Sequence, residues 1–236
     1  MVYQNYKTED DGSLSLDAKG QPIKLEKPLK VLTVKRTSPE ESKFYGFNHI
    51  TIAVGHQAHV IKTYFGNGSK FKVLIDYIQE KKPLSTMGPL KLIKNLPDNF
   101  LVMNGDVLTD LNFDKFFRYH KIRKYLFTIS SYSRSELLDY GLLETNKNEF
   151  LKNFFEKPTR KFNVSMGVYM LNKKILNYIP NNKSFGFDNL MLKLLKSKIK
   201  VKTKKHLGYW LDIGRPNDYI LAVDQFYKIK NKPIHD

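Results

Sequence analysis

Two carboxylates stand where a sheet-forming chain stops burying side chains and begins presenting them. Asp106 follows the apolar run Phe100-Leu101-Val102-Met103 and the turn pair Asn104-Gly105, and Asp212 follows Trp210-Leu211 and precedes Gly-Arg-Pro. In open α/β sheets ligands lie beyond the carboxyl ends of the strands, so an aspartate just after a buried strand is a candidate ligand-facing group. Asp106 also reads as part of an Asn-Gly-Asp turn leading into the next helix. Asp110 or Asn112 can cap that helix, so Asp106 is not needed for it. Two such carboxylates could together ligate one Mg²⁺, a hard ion that takes few protein oxygens and keeps positions for phosphates. Glu156 and Lys157 end the aromatic run Phe154-Phe155; the carboxylate could accept sugar hydroxyls while the ammonium pairs with a phosphate. The plainer reading of that pair is a surface ion pair ahead of Pro158. His56 and His59 have metal-pair spacing, yet no nearby carboxylate or third histidine supports it, and partly exposed histidines at a helix start are the simpler account.

The elements that must position these groups follow from hydrophobic periodicity. Residues 1–28 are polar and turn-rich and read as an irregular segment; one domain is expected from 29 to 236. A strand is predicted at 28–36, then a short helix with Ser38 as cap, Pro39 at its first position and Gly46 at its end. His49–Gly55 reads as a strand, Gln57–Phe65 as a helix with Ala58, Ile61 and Phe65 on one face, and Phe71–Ile78 as a strand. A helix near 88–95, the strand Asn99–Met103, a helix from about 112 to 121 and the strand Tyr125–Ser131 continue this rhythm. From there Leu137–Thr145, Asn148–Pro158 and Phe162–Leu171 read as neighbouring strands joined by short turns. Helices near 172–178 and 187–197, strands near 199–204 and 207–212 and a helix from Arg215 complete the reading. The fold class expected is α/β: a doubly wound, Rossmann-like, mixed and mostly parallel sheet with a small antiparallel lobe. Phe154, Phe155, Phe162 and Tyr169 sit at strand spacing and are expected as core and cleft wall.

Composition narrows the class. The chain has 236 residues, 41% of them hydrophobic, enough for a sizeable core. Its formal charge of +17 comes mostly from scattered lysines rather than arginines. Bidentate reading of bases and phosphates favours arginine, so a solvated lysine surface is expected and a nucleic-acid partner is not. There is no cysteine, which excludes disulfides and thiolate metal sites and accords with a reducing, cytoplasmic setting. No apolar run approaches the ~20 residues of a membrane span, so no membrane partner is expected.

Taken in order, GFNHITIAVGHQAHVIKTYFGNGSKF, EKKPLSTMG, FLVMNGDVLTDLNF, DYGLLET, FFEKP, NVSMGVYML and GYWLDIGRPNDY resemble the sugar-1-phosphate nucleotidyltransferase family, from about Phe44 to the end. The resemblance implies transfer of a nucleoside monophosphate from a nucleoside triphosphate to a sugar 1-phosphate, with release of pyrophosphate. It implies further that Asp106 and Asp212 hold a catalytic Mg²⁺, that Lys157 grips the sugar phosphate and that Glu156 accepts sugar hydroxyls. Gly141 and Gly167 match glycines that let backbone approach the sugar, and Gly88 matches one whose backbone lies against the base. The antiparallel lobe would then be the sugar-binding lobe. The partners implied are the triphosphate and the sugar phosphate, in the setting of nucleotide-sugar and polysaccharide biosynthesis; a homo-oligomer is possible.

Three departures from the family pattern alter the expectation. The family opens with a strand followed by a glycine-rich loop that cradles the triphosphate, whereas residues 1–46 hold no such loop and no glycine between Gly20 and Gly46. Removing one preorganised donor typically costs ~10²–10³ in rate, so activity of this chain is expected to be impaired. Ser85 stands where relatives have a glycine in the nucleotide loop, and Ser165-Met166-Gly167 where relatives often have Asn-Ala-Gly. An inactive binding or regulatory module on the same fold is the alternative.

Overall fold

The computed structural model describes residues 32–36, 47–55, 58–80, 82–214 and 218–223. The expected segment 1–28, the helix at 38–46 and His56 lie outside these residues.

Seven strands form the central sheet, in the order β10(Lys202–Lys205), β6(Phe127–Leu137), β9(Thr159–Asn172), β4(Asn99–Met103), β1(Leu32–Arg36), β2(Phe47–Val54) and β3(Leu74–Gln79). β2 with β3 and β6 with β10 pair in parallel, while β1 and β9 run antiparallel to their neighbours. Five of the seven described strands therefore point the same way, which is the expected mainly parallel α/β sheet. β1 is the departure within its first half: Leu32 pairs with both Ile52 and Met103, and Arg36 pairs with Phe47. The chain thus enters β1 at the end of the sheet near Asn104 and leaves it at the opposite end.

The sequence of β4 explains its central place. Phe100 and Val102 pack into one core with Met87, Leu90, Phe127, Tyr169, Leu171 and Leu190, whereas Leu101 packs into another with Phe116, Phe117, Val168, Met170 and Trp210. A strand covered on both faces needs an unbroken apolar run, and Phe-Leu-Val-Met supplies it. Burying such a side chain is worth about 1.5–3 kcal/mol. A third cluster joins Ile52 and Val54 of β2, Ile75 of β3 and Ala58 and Ile61 of α1(Ala58–Phe65), the predicted helical face.

α2(Phe113–Ile122) is capped by Asn112, whose side chain accepts from the Lys115 N–H at 2.8 Å. The cap is one of the two that the sequence offers, and Asp106 is indeed not used for it. α3(Phe187–Lys196) follows, with Leu190 and Leu194 buried. The predicted helices near 88–95 and 172–178 are tighter 3₁₀ segments, Gly88–Leu92 and Lys173–Tyr178. Two small ribbons complete the described fold: β5(Val107–Thr109) with β11(Trp210–Asp212), and β7(Leu142–Thr145) with β8(Leu151–Phe155). Residues 218–223 are helical.

Candidate active site

The β5–β11 ribbon is built by the turns that follow the two apolar strand ends. Asp212 pairs with Val107, and the Ile213 N–H donates to the Asp106 carbonyl at 2.9 Å. The two aspartates, far apart in sequence, occupy adjacent rungs of one ladder, with Cα atoms roughly 6 Å apart on ordinary strand spacings. Asp212 Oδ1 accepts from the Gly214 N–H at 3.1 Å, which orients its carboxylate. Gly167 of β9 lies beside them: its carbonyl accepts from the Asn104 N–H at 2.8 Å. Gly167 has φ +74°, and a Cβ there would lie 2.9 Å from Asn104 Nδ2 and 3.1 Å from Val107 Cγ2. Only glycine combines that conformation with that approach.

Tyr169 lies beneath this edge, stacked on Phe187 with ring centroids 4.7 Å apart. Burial pushes its hydroxyl up to about 12, against the pull of a hydrogen bond from Ser165, and the Asp106 charge adds to the rise. The far side of the ribbon is fastened by Asp110. Its Oδ1 accepts from the Tyr209 N–H at 2.7 Å and lies 2.7 Å from His206 Nε2. Asp218 completes the support: its carboxylate is paired with Arg134 and accepts from the Asp212 N–H at 3.4 Å. Burial, and after it the Asp218 charge, raises the Tyr209 hydroxyl above its ordinary value.

The sugar-facing candidates gather elsewhere, on the β7–β8 lobe. A Cβ on Gly141 would press on the Phe154 ring at 2.7 Å and come within 3.4 Å of Glu156 Oε2. Lys157, at φ +43°, pairs with Asp139 at 2.8 Å. Their side chains are 55% and 74% exposed, so this is a solvent-screened surface pair contributing at most ~1 kcal/mol, with Asp139 rather than the adjacent Glu156 as partner. Phe154, Phe155 and Phe162, expected in the core or cleft wall, are 55%, 43% and 41% exposed; only Tyr169 of the four is core. A two-stranded ribbon has too little width to cover its own apolar side chains.

Gly88 forms a third group. It is buried, its N–H donates to the Phe185 carbonyl at 3.0 Å, and a Cβ would strike Leu84 Cβ and the Lys183 carbonyl at 2.9 and 3.0 Å. The loop before it is latched onto α3, since the Phe187 N–H donates to Thr86 Oγ1 at 2.8 Å. Ser85 holds φ +64°, the left-handed conformation for which relatives were expected to use glycine.

The structure thus places the backbones of Asp106, Asp212 and Gly167 side by side, and separately gathers Gly141, Glu156 and Lys157. No described contact joins the two groups. Asn104, Arg134 and Asp218 were not singled out from sequence, although Asn104 and Asp218 stand inside the quoted motifs; Tyr169 was expected only as core and cleft wall. His59 is exposed, and no group of three or more His, Cys, Asp or Glu is gathered among the described residues. A pair of aspartates suffices for Mg²⁺, which keeps several non-protein oxygens, and the donor set here is all oxygen. A separate open groove of about 620 Å³, lined by Lys91, Asp98, Lys173 and Lys174, lies at the opposite end of β4 and β9 from this chemistry.

Residues 25–228 match the nucleotidyl transferase family. Among curated proteins the chain is 29% identical over 199 residues to UTP–glucose-1-phosphate uridylyltransferase of Synechocystis sp., covering 76% of this chain and 51% of that protein. It is 28% identical to D-glycero-alpha-D-manno-heptose 1-phosphate guanylyltransferase of Campylobacter jejuni, covering 76% of this chain and 80% of that protein. Among solved structures, HddC from Yersinia pseudotuberculosis aligns with a TM-score of 0.58 at 27% identity, over 77% of this chain and 80% of that one. The same protein complexed with GMP-PN aligns with a TM-score of 0.55 at 25% identity, over 75% and 77%. The chain spans about half the length of the first two curated relatives it matches.

Proposed function

The chain belongs to the nucleotidyl transferase family, and from that premise we propose that it is a sugar-1-phosphate nucleotidyltransferase of nucleotide-sugar biosynthesis, with Asp106 and Asp212 as ligands of one Mg²⁺. The observation that carries the proposal is the β5–β11 register, which makes neighbours of two aspartates more than a hundred positions apart. In the reaction a phosphate oxygen of the sugar 1-phosphate attacks the α-phosphorus of a nucleoside triphosphate. The bond to pyrophosphate breaks as the new P–O bond forms, and pyrophosphate leaves. Both reactants are anions, so Mg²⁺ bound at the two aspartates would neutralise phosphate charge and allow in-line approach. Asp106 and Asp212 hold that charge at the sheet edge, and Gly167 keeps the space beside them clear.

Lys157 and Glu156 are assigned to the sugar phosphate and the sugar hydroxyls respectively. Their lobe is connected to the site through the long β6–β9 ribbon, in which Ser131 pairs with Ser165 and Leu137 with Thr159. The Lys157–Asp139 pair is weak and exposed, so a phosphate dianion replaces the aspartate at little cost. Relatives include a uridylyltransferase and guanylyltransferases, so the base is tested rather than assigned.

Turnover is expected to be low. β1 ends at Arg36, at the end of the sheet away from Asn104, whereas the family's glycine-rich loop would follow its first strand at the phosphate edge. That same reversal favours a second reading, a non-catalytic binding module on this fold. Release of pyrophosphate from each NTP with glucose, mannose or heptose 1-phosphate and Mg²⁺ separates the two. Slow, Mg²⁺-dependent release abolished by Asp106→Asn and by Asp212→Asn supports the enzyme. Binding of sugar phosphate with no release from any pair supports the module.

A further inference from the structure

Arg134 and Asp218 are tied to the site through Trp210 and Asp212. Asp218 is 8% exposed at its side chain and Arg134 24%, and the two form an ion pair between β6 and the helical residues 218–223. A buried ion pair is weak support for stability, because desolvation offsets its attraction, so its placement needs another account. The placement is specific. The Asp218 carboxylate accepts from the Asp212 N–H, and the Arg134 guanidinium lies 4.9 Å over the Trp210 ring. Trp210 is held in turn by Tyr132, 5.4 Å away, and by donating its indole N–H to the Met166 carbonyl at 3.0 Å. Met166 adjoins Gly167. β11 is therefore gripped at both of its ends, through the Trp210 side chain and the Asp212 N–H, from three different segments.

We infer that Arg134 and Asp218 are positioning residues: their ion pair clasps β11 and fixes the Asp212 carboxylate at the spacing from Asp106 that a shared divalent cation requires. The inference rests on the metal reading given above and adds to it the residues that set its geometry. Arg134 also lies on the strand that leads to the lobe, three residues before Leu137, which pairs with Thr159 just past Lys157. The clasp consequently registers the metal end of the site against the sugar end.

Trp210 is the only tryptophan in the chain, so its emission reports on this clasp without labelling. The test is Mn²⁺ titration of the full chain, followed by the electron paramagnetic resonance of free Mn²⁺ and by Trp210 fluorescence, with urea midpoints measured on every variant. Asp218→Asn and Arg134→Gln are each expected to weaken Mn²⁺ binding about tenfold and to shift the Trp210 emission. The double variant should be no worse than either single one, since each alone opens the clasp. Arg134→Lys should retain more affinity than Arg134→Gln, and it carries the test if Asp218→Asn does not fold. Folded variants that bind Mn²⁺ as the native chain does would overturn the clasp while leaving the metal reading intact. Native affinity in Asp212→Asn would overturn the metal reading and the clasp with it.

Discussion

His120 is fully buried between α2 and β6, with Nδ1 2.8 Å from Thr128 Oγ1 and no hydrogen-bond partner for Nε2 among the described residues. Burial lowers its pKa to about 4. Well above pH 6.5 the ring is neutral folded or unfolded and the group adds no pH dependence. Between about 6.5 and 4 the unfolded chain binds a proton that the folded chain refuses, so stability falls as pH falls through that window, by on the order of 3 kcal/mol. His120→Gln should flatten the difference in urea-derived stability between pH 7 and pH 4.5; an unchanged slope would show that the ring is not the titrating group. Gly167 makes the second residue-scale case. Gly167→Ala imposes both a left-handed alanine and a contact with Asn104, and should cost about 2–4 kcal/mol in denaturant unfolding. Gly167 was legible as a glycine that matters. The close approach to Asn104 was not legible, because it is a fact of tertiary packing.

Among the elements, strands were read well where packing and local pattern agree. Asn99–Met103 was bounded correctly because a doubly covered strand and an apolar run are one signal. The 3₁₀ segments were read as helices because their first turns carry helix-like spacing, while the carbonyls that shorten them come from distant residues such as Phe185. The reversal of β1 was not legible at all, since period-two alternation is the same in either direction. The nucleotide loop gives the element-scale prediction. Ser85 pays roughly 1–2 kcal/mol for its left-handed conformation, and Ser85→Gly recovers part of that against the added freedom of the unfolded chain. The variant should melt at the same temperature or a few degrees higher. A loss of more than ~1 kcal/mol would mean that the serine side chain, whose Oγ would lie 3.2 Å from a Cβ on Gly186, holds the loop to α3.

For the whole molecule the net charge of +17 sets the balance. Most of the described ion pairs have at least one exposed partner, so added salt screens more repulsion than attraction. The melting temperature should rise between 50 and 500 mM NaCl; a fall would mean that paired charges outweigh the excess. At this scale the fold class was legible, because ordered motifs across the chain constrain one topology, and so was the backbone adjacency of Asp106 and Asp212. A small antiparallel lobe carrying Gly141, Glu156 and Lys157 was expected too; that no described contact joins it to the aspartates was not, since order along a chain says nothing of how far a ribbon carries its tip. What the functional account requires is that the two aspartates act as one site. The direct measurement is Mn²⁺ binding, read by electron paramagnetic resonance in the native chain, Asp106→Asn, Asp212→Asn and the double variant. The account predicts one site that either single substitution removes and that the double substitution diminishes no further. Retention of the native affinity by both single variants would contradict it.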